Sequence, residues 1–128
     1  MDLKKILIVD DSDVILMMER MILQKTGMYE LVSAKSGPEA IEKAETEKPD
    51  LILLDVVMPG MTGFEVCQEL RAIDSTKDIP VIIVTTRGEA ENVENGYASG
   101  CNDYVTKPIN GGELLAKLES ILGEGQRP

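Results

Sequence analysis

The chain has 128 residues, which fits one domain with a core large enough to fold without disulfide bonds. Hydrophobic residues make up 43% and charged residues 28% of the composition, which is typical of a globular protein and excludes a disordered chain. The net charge of -10 argues against direct nucleic-acid binding, because that normally requires a basic surface.

The cysteines and the apolar runs indicate where the protein works. Cys67 and Cys101 match no metal-binding spacing and support no disulfide framework, so we expect a reducing, cytoplasmic environment. No apolar run approaches the roughly 20 residues of a membrane-spanning helix, and the first residues lack the apolar core of a signal peptide. The sequence contains no histidine, so its chemistry must use carboxylates, lysine and hydroxyl groups.

Five short apolar runs alternate with five segments of helical character. The first run, Lys4–Val9, predicts a strand, and Ser12 and Asp13 supply capping residues for a helix that starts near Val14. Helical spacing places a set of apolar side chains on one face of that helix: Val14, Met17, Met18, Met21 and Ile22. We expect this face to pack against a sheet.

The middle of the chain continues the same pattern. Tyr29–Ala34 predicts a second strand, and Ser36 with Glu39 predicts a capping box at the start of a second helix. Residues 51–54 are all apolar and predict a buried third strand that carries Asp55 at its end. A third helix follows, with Phe64, Cys67, Leu70 and Ile73 on its inward face.

The last third of the chain predicts two more strands and two more helices. Residues 79–84 form the fourth strand, which ends at Thr85 and Thr86. The helix predicted over 87–99 contains weak helix formers and few inward residues, so we expect low local stability. Residues 102–105 form the fifth strand and residues 110–122 the fifth helix.

This alternation predicts an α/β fold with right-handed crossovers and a parallel sheet covered by helices on both faces. One domain accounts for residues 1–123, and residues 124–128 form a short C-terminal tail.

Polar side chains occur where four of the predicted strands end. Asp10 and Asp11 follow the first strand, Asp55 ends the third, Thr85 ends the fourth and Lys107 follows the fifth. All carboxyl ends of a parallel sheet lie at one edge, which is where ligands bind in open α/β sheets. We therefore expect these five side chains to form one site.

The charges of that site predict its chemistry. Three neighbouring carboxylates repel one another, and a hard divalent cation that prefers oxygen ligands relieves the repulsion. A Mg²⁺ ion and Lys107 together neutralise three ionised carboxylates, and Lys107 and Thr85 can contact the oxygens of an incoming phosphoryl group. Such positioning and charge neutralisation suffice for phosphoryl transfer, so we predict that Asp55 accepts a phosphoryl group as an aspartyl-phosphate.

Four stretches of the chain resemble the receiver domain of bacterial two-component response regulators, in the single-domain style of the chemotaxis regulator. They are Ile8-Val-Asp10-Asp11-Ser, Leu54-Asp55-Val-Val-Met-Pro59-Gly-Met-Thr-Gly63, Val84-Thr85-Thr86 and Tyr104-Val-Thr-Lys107-Pro108. The resemblance extends from about residue 3 to about residue 122. It implies a five-stranded doubly wound, flavodoxin-like sheet in the order 2-1-3-4-5.

The resemblance also implies roles for individual residues. Asp55 is expected to be the phosphoacceptor and Lys107 to bind the phosphoryl group. Asp10, Asp11, Asp55 and the backbone carbonyl of Val57 are expected to form the magnesium site.

Two further residues resemble the switch of the family. Thr85 is expected to move toward the phosphoryl group, and Tyr104 to turn inward when Thr85 moves. The resemblance implies a cis Lys107–Pro108 bond and an output face formed by the fourth helix, the fifth strand and the fifth helix. The partners it implies are a sensor histidine kinase or histidine phosphotransfer protein and a downstream target protein, with the domain a monomer or a phosphorylation-dependent dimer. As a phosphoacceptor, the domain is not expected to turn over an external substrate.

Three other functions stay open at this point. An aspartyl-phosphate phosphatase or phosphomutase needs a second acid two residues after the nucleophile, where this chain has Val57, and a cap domain. A flavin-binding electron carrier has a similar topology, but the acidic residues 10–13 would repel its phosphate. An unphosphorylated scaffold could have kept the fold.

Two positions depart from the family pattern. Val57 is apolar where some members have a polar group, and Arg87 is large and basic. Because a valine side chain cannot orient a water molecule, we predict slow self-dephosphorylation.

Overall fold

The structure, a computed structural model, describes residues 3–86 and 100–122. This part of the chain forms one five-stranded sheet and four helices. The strands are β1 (Lys4–Val9), β2 (Tyr29–Ala34), β3 (Leu51–Asp55), β4 (Val81–Thr86) and β5 (Asp103–Lys107). The helices are α1 (Asp13–Gln24), α2 (Gly37–Glu47), α3 (Gly63–Ala72) and α4 (Gly111–Leu122). The helix predicted over 87–99 and the predicted tail lie outside the described residues.

The sheet is entirely parallel and has the strand order β2-β1-β3-β4-β5, which confirms the predicted fold. Its register aligns the strand ends. Val9 pairs with Leu54 between β1 and β3, so Asp10 and Asp55 follow paired positions. Asp55 in turn pairs with Val84 of β4, which places Thr85 one residue further along.

The sheet separates two hydrophobic cores. One core lies under α2 and α3, whose buried residues include Ala40, Ala44, Val66, Cys67 and Leu70. The other lies under α1 and α4, whose buried residues include Leu16, Leu23, Leu114 and Leu118. The residues of β3 are buried throughout, as its continuous apolar sequence predicted.

The predicted inward face of α1 is wrong for Val14, Met17, Met18 and Met21, whereas Ile22 packs against the core as predicted. Val14, Met17 and Met21 are 66%, 61% and 56% exposed, whereas Leu16, Glu19 and Leu23 are buried. The helix is apolar around most of its circumference, so two different faces satisfy the helical spacing. The face that packs on the sheet carries an acidic residue, Glu19, between Leu16 and Leu23.

Side-chain caps fix where the helices begin. The hydroxyl groups of Ser12 and Ser36 accept hydrogen bonds from the backbone N–H groups of Ile15 and Glu39. The second cap is not the predicted reciprocal box, because the carboxylate of Glu39 accepts from the N–H of Lys35 and not of Ser36. A reciprocal capping box does begin α3, where Thr62 pairs with Glu65.

Two further features of the described residues concern earlier expectations. The Lys107–Pro108 peptide bond is cis, as predicted. None of the described helices combines the length and apolar character that a membrane span requires.

Candidate active site

The five strand-end residues lie together at the carboxyl edge of the sheet. Asp10 directly follows β1, Asp55 and Lys107 are the last residues of β3 and β5, and Thr85 is the second-last residue of β4. Asp10, Asp55 and Thr85 are buried residues, each exposed by 3% or less. The structure therefore brings Asp10, Asp11, Asp55 and Lys107 together and places Thr85 at the same edge of the sheet.

Asp10 is held in place by the turn that starts α1. Its Oδ1 atom accepts a 2.9 Å hydrogen bond from the backbone N–H of Ser12. Its Oδ2 atom is buried and has no hydrogen-bond partner. Burial raises the pKa of Asp10, the Ser12 N–H group opposes that increase, and the neighbouring Asp55 adds to it.

Lys107 is the cation of the site. Its Nζ atom lies 2.9 Å from Oδ1 of Asp55 and 3.6 Å from Oδ2 of Asp10. Burial works against the charge of Lys107, but its hydrogen bond and ion pairs with the two aspartates raise its pKa above that of an ordinary lysine. The ammonium group therefore stays charged at neutral pH and offsets part of the carboxylate repulsion.

Asp55 receives contacts from two sides. Besides the ion pair with Lys107, its carboxylate accepts a hydrogen bond from the backbone N–H of Val57. Burial nevertheless raises the pKa of Asp55, and the charge of Asp11 contributes to the increase. The loop that follows is packed against this residue, since a Cβ atom on Gly63 would collide with the backbone carbonyl oxygen of Asp55.

The acidic residues fit a divalent cation. Asp10, Asp11 and Asp55 each offer a carboxylate oxygen, and these oxygens lie within 4.8 Å of one another. Oxygen donors are what Mg²⁺ prefers, and the Oδ2 atom of Asp10 accepts no hydrogen bond, although it lies 3.6 Å from the Lys107 ammonium group. The predicted contribution of the Val57 carbonyl stays a prediction.

Thr85 and Tyr104 occupy the positions predicted for the switch. The Oγ1 atom of Thr85 is buried without a hydrogen-bond partner. Tyr104 is half-buried in β5 and packs at the edge of the core under α2 and α3. The Nζ atom of Lys117, from α4, lies 5.3 Å from the centre of the Tyr104 ring and 2.9 Å from Oδ1 of Asp103. The roles of Thr85 and Tyr104 stay predictions.

Comparison with known families identifies this arrangement. The family model for the response regulator receiver domain matches residues 6–119. The chain belongs to the response regulator receiver domain family. It is thus a receiver domain of two-component signalling, with the acidic pocket and lysine at the expected strand ends.

Relatives of this receiver domain are of two lengths. The transcriptional regulatory protein PhoP of Bacillus subtilis, for alkaline phosphatase synthesis, is 41% identical over 93% of this chain, which spans 48% of that protein. The protein PilH of Pseudomonas aeruginosa is 38% identical over 92% of this chain, which spans 97% of PilH. The chain therefore covers about half of some relatives and nearly all of another.

Solved structures show the same fold. The chemotaxis protein CheY4 of Vibrio cholerae superimposes with a TM-score of 0.88 at 38% identity, covering 94% of this chain and 100% of that one. The receiver domain of a sensor histidine kinase from Pseudomonas aeruginosa, with a magnesium ion coordinated in its active site cleft, has a TM-score of 0.87 at 30% identity. That match covers 95% of this chain and 99% of the other.

Sequence reasoning missed one acidic residue near the site. Glu19 of α1 is 1% exposed, and it interacts electrostatically with Asp10, Asp55 and Lys107. A signal was present, because Glu19 lies three residues after Leu16 and four before Leu23, on the face that packs on the sheet. A glutamate in a helix is usually exposed, and the methionine face of α1 has the same apolar spacing, so the sequence pattern alone does not indicate that Glu19 is buried.

Proposed function

We propose that this receiver domain is a phosphorylation-dependent switch in which Asp55 accepts a phosphoryl group from a phosphohistidine donor. One observation carries the proposal: the Asp55 carboxylate lies beside Lys107, within a cluster of carboxylates, at the carboxyl edge of the sheet. The family supports phosphorylation-dependent signalling, and the geometry supplies a nucleophile with a cation beside it.

The transfer step uses residues of this chain in distinct roles. A carboxylate oxygen of Asp55 forms a bond to phosphorus while the bond between phosphorus and the imidazole nitrogen of the donor breaks. Lys107 stabilises the negative charge on the phosphoryl oxygens, and the Thr85 hydroxyl, which has no partner in its buried position, donates to one of them. Asp10, Asp11 and Asp55 would hold a Mg²⁺ ion, which would supply further charge neutralisation.

The fit to magnesium rests on the clustered carboxylate oxygens and on the buried Oδ2 atom of Asp10, which accepts no hydrogen bond. A magnesium ion in the active site cleft of the related receiver domain supports the same assignment. Without a cation, Lys107 offsets only one of the three negative charges, so metal binding also relieves repulsion within the site.

The partners follow from the chemistry of the switch. The donor is a sensor histidine kinase or a histidine phosphotransfer protein, and the output is binding of a downstream target protein in trans. The proposed output face comprises β5, α4 and the helix predicted from the sequence over 87–99, which lies outside the described residues. We propose a cytoplasmic location and no turnover of external substrate, because the chemistry changes the protein itself.

Intact mass spectrometry after incubation with acetyl phosphate tests the acceptor. We expect magnesium-dependent addition of one phosphoryl group to the wild type and none to Asp55→Asn. Asp50→Asn is the matched control, because Asp50 precedes the same strand at its opposite end, where its Oδ2 atom accepts from the N–H of Lys5.

The control variant is expected to be phosphorylated like the wild type. Phosphorylation of Asp55→Asn would place the acceptor elsewhere. If the folded wild type gains no phosphoryl group from acetyl phosphate or from histidine kinases, the proposed function fails and a scaffold role takes its place.

A further inference from the structure

The loop that follows the acceptor strand β3 packs closely against the start of α2. A Cβ atom placed on Gly37, the first residue of α2, would lie 2.6 Å from Sδ, 2.9 Å from Cβ and 3.0 Å from Cγ of Met61. These distances are well inside the roughly 3.5–4.0 Å at which nonbonded carbon atoms pack best. Any side chain at position 37 would therefore push Met61 and its loop away from α2.

The contact with Met61 explains why a glycine begins this helix. Glycine is less favourable than alanine in a helix, so its presence there usually reflects a special backbone conformation or a close approach. The φ angle of Gly37 is not positive, unlike those of Gly27, Gly60 and Gly100. The close approach of Met61 to this buried position is therefore the feature that accounts for the glycine.

The loop that carries Met61, residues 56–62, also holds the phosphoacceptor. A 2.9 Å hydrogen bond from the N–H of Gly63 to the carbonyl of Val56 joins the two ends of this acceptor loop. Near its start, the N–H of Val57 donates to the Asp55 carboxylate. Just after its end, a Cβ atom on Gly63 would collide with the backbone carbonyl oxygen of Asp55. A displacement of Met61 thus reaches Asp55 through a short loop whose ends are bonded together.

Resting on the proposed function, we propose that Met61 is a positioning residue for phosphoryl transfer, and that its contact with Gly37 holds the acceptor loop in the conformation that orients the Asp55 carboxylate. The side chain of Met61 packs against Gly37 and the core under α2 and α3, so it acts through the backbone of the loop. Phosphoryl transfer depends mainly on the placement of the reacting groups, which makes it sensitive to such a displacement.

A purely structural role for the contact predicts a different result. If the contact only stabilised the fold, enlarging residue 37 would lower the free energy of unfolding and leave the phosphorylation rate of the folded protein unchanged. If it positions the acceptor loop, the rate falls even in protein that is fully folded. The environment of the Val57 amide, which donates to Asp55, changes as well.

The rate of phosphorylation by acetyl phosphate at saturating Mg²⁺ tests the proposal, with intact mass spectrometry at successive times. We expect Gly37→Ala to be phosphorylated at least about tenfold more slowly than the wild type. Urea unfolding establishes that the variant is folded under the assay conditions. We also expect the backbone amide NMR signal of Val57 to shift in the variant before any phosphoryl donor is added.

Gly111→Ala is the matched control. Gly111 is the first residue of α4, as Gly37 is of α2. A Cβ atom on Gly111 would lie 3.6 Å from Cγ2 of Ile22, which is an ordinary van der Waals contact. We expect this variant to be phosphorylated at the wild-type rate and to leave the Val57 amide signal unchanged.

A double-mutant cycle shows whether the effect of residue 37 passes through Met61. Met61→Gly removes all three of the atoms that the alanine side chain would meet. We expect Met61→Gly to slow phosphorylation, because the acceptor loop loses its contact with α2, and we expect Gly37→Ala to cause no further slowing in that background.

Met61→Ala keeps the test decisive if Gly37→Ala does not fold. It shortens the side chain that packs on Gly37 without adding an atom to the buried helix start, and we expect slower phosphorylation of the folded variant. A wild-type rate for Met61→Ala would overturn the inference.

The remaining outcomes separate the inference from the proposed function. If the wild type is phosphorylated and folded Gly37→Ala reacts at the same rate, the inference is wrong and the proposed function stands. Equal slowing by Gly37→Ala with and without the Met61 side chain, or equal slowing by Gly111→Ala, would also overturn it. If neither acetyl phosphate nor histidine kinases phosphorylate the wild type, the proposed function and the inference are both wrong.

Discussion

The Nζ atom of Lys107 lies 2.9 Å from Oδ1 of Asp55, so this ion pair joins the ends of β5 and β3 across the intervening strand β4. The same ammonium group is 3.6 Å from Oδ2 of Asp10, at the end of β1. One lysine thus links three of the five strands at the edge where the carboxylates converge. Its charge affects both the chemistry of the site and the stability of the fold.

Removing either partner of this ion pair is expected to have opposite effects on stability. Asp55→Asn removes a buried carboxylate that Asp10 and Asp11 repel, so we expect the free energy of unfolding to rise by about 1 kcal/mol. Lys107→Met leaves two buried carboxylates without their cation, and we expect a loss of about 1–2 kcal/mol. Urea unfolding at neutral pH without magnesium measures both changes.

Lys117→Met is the control for the lysine variant. Lys117 also forms a 2.9 Å ion pair, but its partner Asp103 has a side chain that is 29% exposed, whereas that of Asp55 is 4% exposed. We expect its substitution to change stability by about 0.5 kcal/mol or less. Equal losses for the two lysine variants would contradict a special role for Lys107 in offsetting carboxylate repulsion.

Thr85→Val is expected to increase the stability of the protein and to abolish the response of Tyr104 to phosphorylation. The variant removes a buried hydroxyl that has no partner, so we expect the unphosphorylated protein to gain about 1 kcal/mol. Asp55 is still phosphorylated, but the NMR signals of the Tyr104 ring no longer shift on phosphorylation. Thr85→Ser keeps the hydroxyl and retains the shift, whereas a normal shift in the valine variant would exclude Thr85 from the switch.

Two substitutions in α1 test which face of the helix is buried. Met21 is 56% exposed, so we expect Met21→Ala to change the free energy of unfolding by about 0.5 kcal/mol or less. Leu23 is fully buried, and Leu23→Ala is expected to cost about 2–5 kcal/mol through the cavity it leaves. Chemical denaturation measures both changes. A larger loss of unfolding free energy for Met21→Ala than for Leu23→Ala would show that the methionine face of α1 is the buried one.

The site could be predicted from the sequence because Asp10, Asp55 and Thr85 stand at the ends of the continuous apolar runs of β1, β3 and β4, whereas Lys107 ends β5, whose sequence is only partly apolar. In a parallel sheet, the ends of such strands must meet, so Asp10, Asp55 and Lys107 could be placed together without knowledge of any side-chain contact. The strand order itself came from the family resemblance. Helical periodicity could not determine which face of α1 is buried, since two faces are apolar. It also could not predict the burial of Glu19, because that burial depends on tertiary packing.

Val57 is expected to slow hydrolysis of the aspartyl-phosphate. Its backbone N–H group contacts Asp55, but its side chain is apolar and 67% exposed, so it offers no group that orients an attacking water molecule. We expect a half-life of the phosphorylated wild type well beyond seconds, and a shorter one for Val57→Gln. Intact mass spectrometry at successive times follows the loss of the phosphoryl group and gives the dephosphorylation rate of each protein. A wild-type half-life of seconds would contradict the prediction.

The folding stability of the wild type is expected to depend on pH through Glu19. The pKa of this carboxyl group rises from 4.5 to about 8 on folding, chiefly through burial. Between these values the native state keeps a proton that the unfolded state has lost, so stability falls as pH rises, by at most about 1.4 kcal/mol per pH unit. The contribution is fully present below pH 4.5 and is lost as the pH rises through 8.

Glu19→Gln isolates this contribution, because the other titrating groups are common to both proteins. We expect the free energy of unfolding of the wild type, relative to that of the variant, to decrease steadily between pH 4.5 and 8 and to level off above 8. Urea unfolding at a series of pH values in the absence of divalent cations measures the difference. Parallel stability curves would show that Glu19 titrates alike in the folded and unfolded states, and its burial would then have no electrostatic consequence.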